Sequence, residues 1–114
     1  MEIASLTKQV TYHETRPTIQ VLMETETGKE IRIAFKKGQI MKEHQTPFPI
    51  VVEIFEGNIN FGVNGVIHSL GKGDLISLEG SAPHDLTATE DSIVRLSLNK
   101  GDTVKRVEKI AKKL

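Results

Sequence analysis

The stretch Gly38 to Gly57 reads GQIMKEHQTPFPIVVEIFEG, and it is answered downstream by Gly73 to His84, GDLISLEGSAPH. In the first segment Lys37-Gly38 closes the preceding apolar run, and Pro47-Phe48-Pro49 forms a rigid loop that leads into a second run from Ile50. In the second segment Gly71-Lys72-Gly73-Asp74 is a tight turn, after which Leu75, Ile76 and Leu78 begin a strand that leads to His84.

The same alternation continues to either side. Upstream, Ile31, Ile33 and Phe35 alternate with Glu30, Arg32 and Ala34, which puts three large apolar side chains on one face of a strand. Ile19, Val21 and Met23 alternate in the same way before the Thr27-Gly28 turn. Downstream, Ile59, Phe61 and Val63 lead to Asn64-Gly65, a dipeptide that tolerates the positive φ values of a type I′ hairpin, so Val66–Leu70 should pair antiparallel with them. Val94, Leu96 and Leu98 form a last strand. No helical period is sustained before residue 98, and the pattern is all-β. Evenly spaced antiparallel strands that each hide one face close most economically as a barrel or two-sheet jelly roll, because closure removes exposed edges.

Beyond that point Asn99-Lys100-Gly101 breaks the pattern, and Asp102 is expected to cap a helix over about residues 102–113. Val104, Val107, Ala111 and Leu114 fall on one face of it, with lysines opposite. Before Arg16 the scattered apolar residues Ile3, Leu6 and Val10 predict a marginal strand.

A chain of 114 residues is expected to form one domain, 1–114, with a barrel core over about 17–98. It has no cysteine, which excludes a disulfide framework, a thiolate metal site and a cysteine nucleophile. No charged segment followed by an apolar run opens the chain and no long apolar stretch follows, so neither a secretory signal nor a transmembrane span is expected, and a cytoplasmic location is. Fifteen basic and fifteen acidic residues balance, arguing against a general preference for nucleic acid, although the last fifteen residues carry a surplus of four positive charges. Tyr12 is the only tyrosine and tryptophan is absent, which leaves little aromatic surface for stacking bases. Phosphate-loop, dinucleotide and G-x-S-x-G fingerprints are absent, so no catalytic residue is assigned.

The two opening segments resemble the paired motifs of the cupin family, written G-x5-H-x-H-x(3–4)-E-x6-G and G-x5-P-x-G-x2-H-x3-N. Counting from Gly38, the first histidine position is His44, the second falls on Thr46, the glutamate position falls on Ile50, and Gly57 closes the motif. Counting from Gly73, Glu79 stands at the proline position, Ser81 at the glycine position, His84 in register and Ala88 at the asparagine position. The resemblance implies a cupin-type β-barrel, also called a double-stranded β-helix or jelly roll, with a short C-terminal α-helix. It also implies a homodimer, since an extra N-terminal strand in small cupins commonly pairs with a second subunit.

If Ile50 holds the inward glutamate position, Val52 and Ile54 also face the interior, while Val51, Glu53 and Phe55 face outward. Metal-using cupins bind their ion through three histidines and a glutamate, and of these only His44 and His84 are present. Two imidazoles fall short of a three-ligand or two-histidine, one-carboxylate site, and the lost glutamate removes the charge that would offset a divalent cation. No metal cofactor is therefore expected; a divalent transition metal, if any bound, would use His44 and His84. The expected function is metal-independent binding of a small, partly apolar ligand in a barrel mouth lined by His44, Thr46, Ile50, Val52 and His84. The alternatives are a metal-dependent dioxygenase or isomerase with a reduced ligand set, and an interaction protein acting through the basic helix. His13 and His68 read as exposed histidines in strand-like surface segments.

Overall fold

The alternation through residues 18–99 becomes nine strands, and the break at 99–101 is followed by one helix. The computed structural model describes residues 1–113. Its strands are β1 (Thr18–Glu24), β2 (Gly28–Phe35), β3 (Ile40–His44), β4 (Ile50–Glu56), β5 (Asn58–Val63), β6 (Val66–Gly71), β7 (Leu75–Leu78), β8 (His84–Ala88) and β9 (Ser92–Asn99), and the helix is α1 (Val104–Ala111). They form two antiparallel sheets, ordered β1-β2-β9-β4-β7 and β3-β8-β5-β6. This is the two-sheet jelly roll expected from the alternation. Asn64 and Gly65, at φ 53° and 76°, make the tight β5–β6 turn with Val63 opposite Val66.

Inward side chains of both sheets build the core: Ile31, Phe35 and Val94 from the first join Met41, Ile59 and Phe61 from the second, all essentially sealed from solvent. Burial of each such side chain contributes roughly 1.5–3 kcal/mol. In β4, Ile50, Val52 and Ile54 are buried while Val51 remains 43% exposed. The same register sends Glu53 outward to within 3.4 Å of the Arg95 guanidinium, which also pairs with Glu30 at 2.9 Å.

Two expectations about the first residues give way. In β1 a bulge lies between Val21 and Met23, so the alternation read across Ile19, Val21 and Met23 breaks and Val21 is 37% exposed. One extra residue is enough to switch the face of everything beyond it. Residues before Thr18 form no strand but an irregular strap laid over β1 and β2. Arg32, only 3% exposed, holds it: Nη1 donates to the carbonyls of Ser5 (3.1 Å) and Lys8 (2.9 Å), and Nη2 to Gln9 O (3.2 Å) and Gln20 Oε1 (2.9 Å). Gln39 Nε2 adds a bond to the carbonyl of His13 at 2.6 Å, so exposed His13 belongs to this strap rather than to a strand-like segment. His68 is exposed on β6.

The helix, read as about 102–113, spans Val104–Ala111, and its cap lies one residue later than read. Its N-cap is Thr103, whose Oγ1 accepts from Arg106 N at 3.3 Å, and Asp102 stands just outside. The apolar face that meets the barrel is Val107, Ile110 and Ala111, with Val104 partly covered. Ile110 was missing from the expected stripe, and Leu114 lies outside the described residues. Lys105, Lys109 and Lys112 point to solvent. No helix among the described residues is long and apolar enough to cross a membrane.

The glycine spacing of the two motifs has a backbone cause. Gly38, Gly57 and Gly73 take φ values of 90°, 92° and 88°. At Gly57 an added Cβ would also run into the Ser92 side chain and the Asp91 carbonyl. Ser81, at the glycine position of the second motif, keeps the left-handed conformation with φ 67°. A side chain there costs roughly 1–2 kcal/mol. The conformation aims the Ser81 N–H at Thr46 O, 2.6 Å away.

Candidate functional site

His44 closes β3 and His84 opens β8, and the register places them directly opposite one another. Their rings meet edge to face, centroids 4.3 Å apart at 61°. Beneath them the Phe61 ring lies parallel to His84 at 5.6 Å. Each imidazole is oriented by a carbonyl two residues before it, on β3 for His44 and in the loop that enters β8 for His84: His44 Nδ1 lies 2.6 Å from Lys42 O and His84 Nδ1 2.9 Å from Ala82 O. A carbonyl can only accept, so both Nδ1 atoms carry the proton and each neutral ring keeps its lone pair on Nε2.

Burial is the main reason the His44 pKa is lowered to about 4, opposed by the Lys42 carbonyl and reinforced by His84, Arg106 and Lys113. His84 is lowered too, first by burial and then by Arg106, against the pull of the Ala82 carbonyl and Asp85. Both rings are neutral at pH 7.

Four of the five residues expected at the mouth line one common cavity: His44, Ile50, Val52 and His84. The fifth does not. Thr46 is buried, but its hydroxyl donates to Asp102 Oδ2 at 2.7 Å and accepts from Phe48 N at 3.3 Å, so it fastens the β3–β4 loop to the base of α1. A hydroxyl in an apolar surround turns to the nearest charge, and here that charge is a buried carboxylate.

Two further lining residues come from the helix, Arg106 and Val107. Arg106 grips Asp102 through Nε to Oδ1 at 2.8 Å and Nη2 to Oδ2 at 2.9 Å, and Thr103 N adds a bond to Oδ1 at 2.8 Å. Burial acts most strongly on Asp102 and would raise its carboxyl, but Arg106, Thr46 and Thr103 together hold it below the ordinary carboxylate range. Neither Asp102 nor Arg106 was singled out as part of the site. Their i, i+4 spacing was the available signal, though it says only that they can pair and not where the pair sits.

With α1 in place the cavity measures about 20 Å³. That is room for about one water molecule. Its walls are chiefly apolar, with Met41 and Leu86 beside Ile50 and Val52.

The donor set does not match a cupin metal centre. Ile50 is apolar where a carboxylate would be needed, Thr46 is engaged elsewhere, and a guanidinium lines the same cavity as the histidine pair. Among the described residues no three histidine, cysteine or carboxylate side chains converge.

No family model matches the chain, and no curated protein matches it in sequence. Solved structures do. An RmlC-like cupin protein from Desulfovibrio desulfuricans matches with TM-score 0.80 and 22% identity over 87% of this chain and 96% of its own. A double-stranded β-helix protein from Klebsiella pneumoniae matches at 0.77 and 18%, covering 89% and 92%. KdgF from Halomonas sp. matches at 0.67 and 18%, covering 75% and 82%. Motif spacing, sheet order and these neighbours agree, and the chain is a small domain of the cupin fold.

Proposed function

We propose that this cupin domain is a metal-independent binding module whose ligand is small and partly apolar and occupies the barrel mouth between the histidine pair and α1. The observation that carries this reading is the mouth itself: an apolar cavity topped by two neutral imidazoles whose hydrogen-bond acceptors are fixed by backbone carbonyls. Apolar walls with a few oriented polar atoms are the usual make-up of a small-molecule site. Arg106 and Val107 of α1 line the cavity too, and with room for about one water it must widen to admit a larger ligand. Native mass spectrometry of the purified protein, before and after mild denaturation, tests it. A copurifying organic molecule lost in His84→Ala supports the reading; transition metal at one equivalent per chain, retained through gel filtration in chelator, overturns it.

The domain is also proposed to dimerise. Val51 and Leu75, 43% and 66% exposed, lie on the outer face of the first sheet, with Leu75 paired to Glu53. Exposed apolar side chains sharing a sheet face favour a second copy as their cover. Light scattering at tens of micromolar would give a monomer mass if this is mistaken.

A further inference from the structure

The histidine pair retains what a metal site needs from its imidazoles. The rings face each other across adjacent strands, and each Nδ1–H is anchored on a carbonyl. That outer anchoring is how metal-ligating histidines are commonly oriented. What differs is the remainder of the mouth. The only charged side chain lining the cavity, among the described residues, is a cation, Arg106, and the nearby carboxylate Asp102 is taken up by it in a two-bonded fork.

We propose that Arg106 is the resident cation of the mouth, carried in by α1, and that it keeps divalent metal ions off the His44–His84 pair. This rests on the metal-independent reading above and assigns its cause. Two effects of one side chain act together. A guanidinium is a cation, so it repels a divalent ion approaching the two Nε2 lone pairs through a medium less polar than water. It also occupies Asp102, the one buried carboxylate of the described residues, with bonds at 2.8 and 2.9 Å. Nor can it readily swing aside. Asp102 is held in turn by Thr46 from the β3–β4 loop and by the Thr103 N–H, and Val107 on the next position of the helix is buried against the barrel. The residues at the motif's second histidine and glutamate positions thereby act together with Arg106: Thr46 supports the carboxylate that fixes the arginine, and Ile50 leaves it no rival.

The experiment is a Ni²⁺ titration by calorimetry on the full chain, comparing wild type, Arg106→Lys and Arg106→Met, with folding checked by thermal melting. Arg106→Met keeps an apolar stem and removes the charge. It is expected to bind Ni²⁺ at least about tenfold more tightly than wild type. Adding His84→Ala should abolish the gain, and Arg106→Lys, which keeps the charge, should behave as wild type. A folded Arg106→Met with wild-type affinity overturns the assignment. If that variant does not fold because Asp102 is left buried without a counter-charge, Asp102→Asn/Arg106→Met removes both charges. Unchanged affinity in the double variant overturns the assignment equally. Tight, stoichiometric Ni²⁺ binding by wild type would instead overturn the metal-independent reading itself, whereas a failed Arg106→Met leaves that reading standing.

Discussion

Two arginines fasten the two ends of this chain to the same barrel, and they do it by different chemistry. Arg32 binds the N-terminal strap through three backbone carbonyls, while its fourth bond, to the Gln20 side chain, steadies it on β1. Arg106 binds the base of α1 through a buried carboxylate. A carbonyl clamp uses dipoles that every residue carries, so it places few demands on the sequence of the strap and no second charge is buried. A carboxylate clamp concentrates two opposite charges at one point, which gives directionality and also makes the region sensitive to loss of either partner. The N-terminal end is therefore held diffusely, and the C-terminal end is held at a single joint.

The contrast is broken most severely at that joint. Asp102→Ala removes the acceptor for Arg106, Thr46 and Thr103 together, stranding a largely covered guanidinium. A loss of about 3 kcal/mol in chemical denaturation is expected, with amide exchange rising throughout α1. A loss within experimental error would mean that α1 is held by its apolar face alone.

Acid should separate the two ends next. His44 has its ordinary value of 6.5 when unfolded and about 4 when folded, so between those values the unfolded chain binds more protons. Its contribution is whole above pH 6.5 and is lost as the pH falls toward 4; the lowered His84 acts in the same direction. Stability should fall by on the order of 2–3 kcal/mol from pH 7 to pH 4. Asp102 adds a further loss only below the ordinary carboxylate value, as the pH falls through its lowered folded one. The partners of Arg32 are carbonyls and an amide, which do not titrate. The strap should consequently keep its exchange protection while the mouth and α1 lose theirs, and His44→Gln should flatten the profile. A melting temperature independent of pH in this range would show that the histidines are not sheltered as described.

Arg32→Met should cost less, about 1–2 kcal/mol, because the strap's freed carbonyls return to water while the side-chain stem still packs. Faster exchange confined to residues before Thr18, with α1 unaltered, is the expected signature. Simultaneous loosening of α1 would show that the two clamps are coupled.

How much of this was legible follows from the same contrast. Strands and turns were readable because alternation and the Asn64-Gly65 dipeptide act locally, and the mouth residues Ile50, Val52, His44 and His84 followed from register once the barrel was assumed. Arg32 read as an ordinary outward residue of an alternating strand, since nothing in a sequence marks which backbone carbonyls will gather around a guanidinium. Asp102 read as a helix cap because aspartate before a helix is usually that; Thr103 took the role and freed the carboxylate for Thr46 and Arg106. The amphipathic pattern of α1 indicated a buried face without naming what it meets, so the helix's part in lining the mouth could not be foreseen. Thr46 was placed by motif count, which fixes a position along the chain and not the direction its hydroxyl turns.

The smallest effect should lie away from both clamps. Ser81→Gly removes the side chain from a left-handed backbone and should raise stability by about 0.5–1 kcal/mol, leaving exchange in the strap and in α1 as it was. A destabilised variant would show that the Ser81 side chain contributes more than its backbone costs.

The place of β9 at the centre of its sheet carries a consequence for how the chain comes to be folded. β2 pairs with it from Gly28 opposite Asn99 to Phe35 opposite Ser92, and β4 lies along its other side. During synthesis Ile31, Ile33 and Phe35 must therefore wait, without their principal partner, while more than half of the chain is still to be made. Pairings this distant make folding slow, on the order of milliseconds to seconds, and place collapse of the first sheet after residue 99 has cleared the ribosome. A nascent chain stalled before Ser92 should present the open β9-facing edge of β2 to chaperones, and one extended past Asn99 should not.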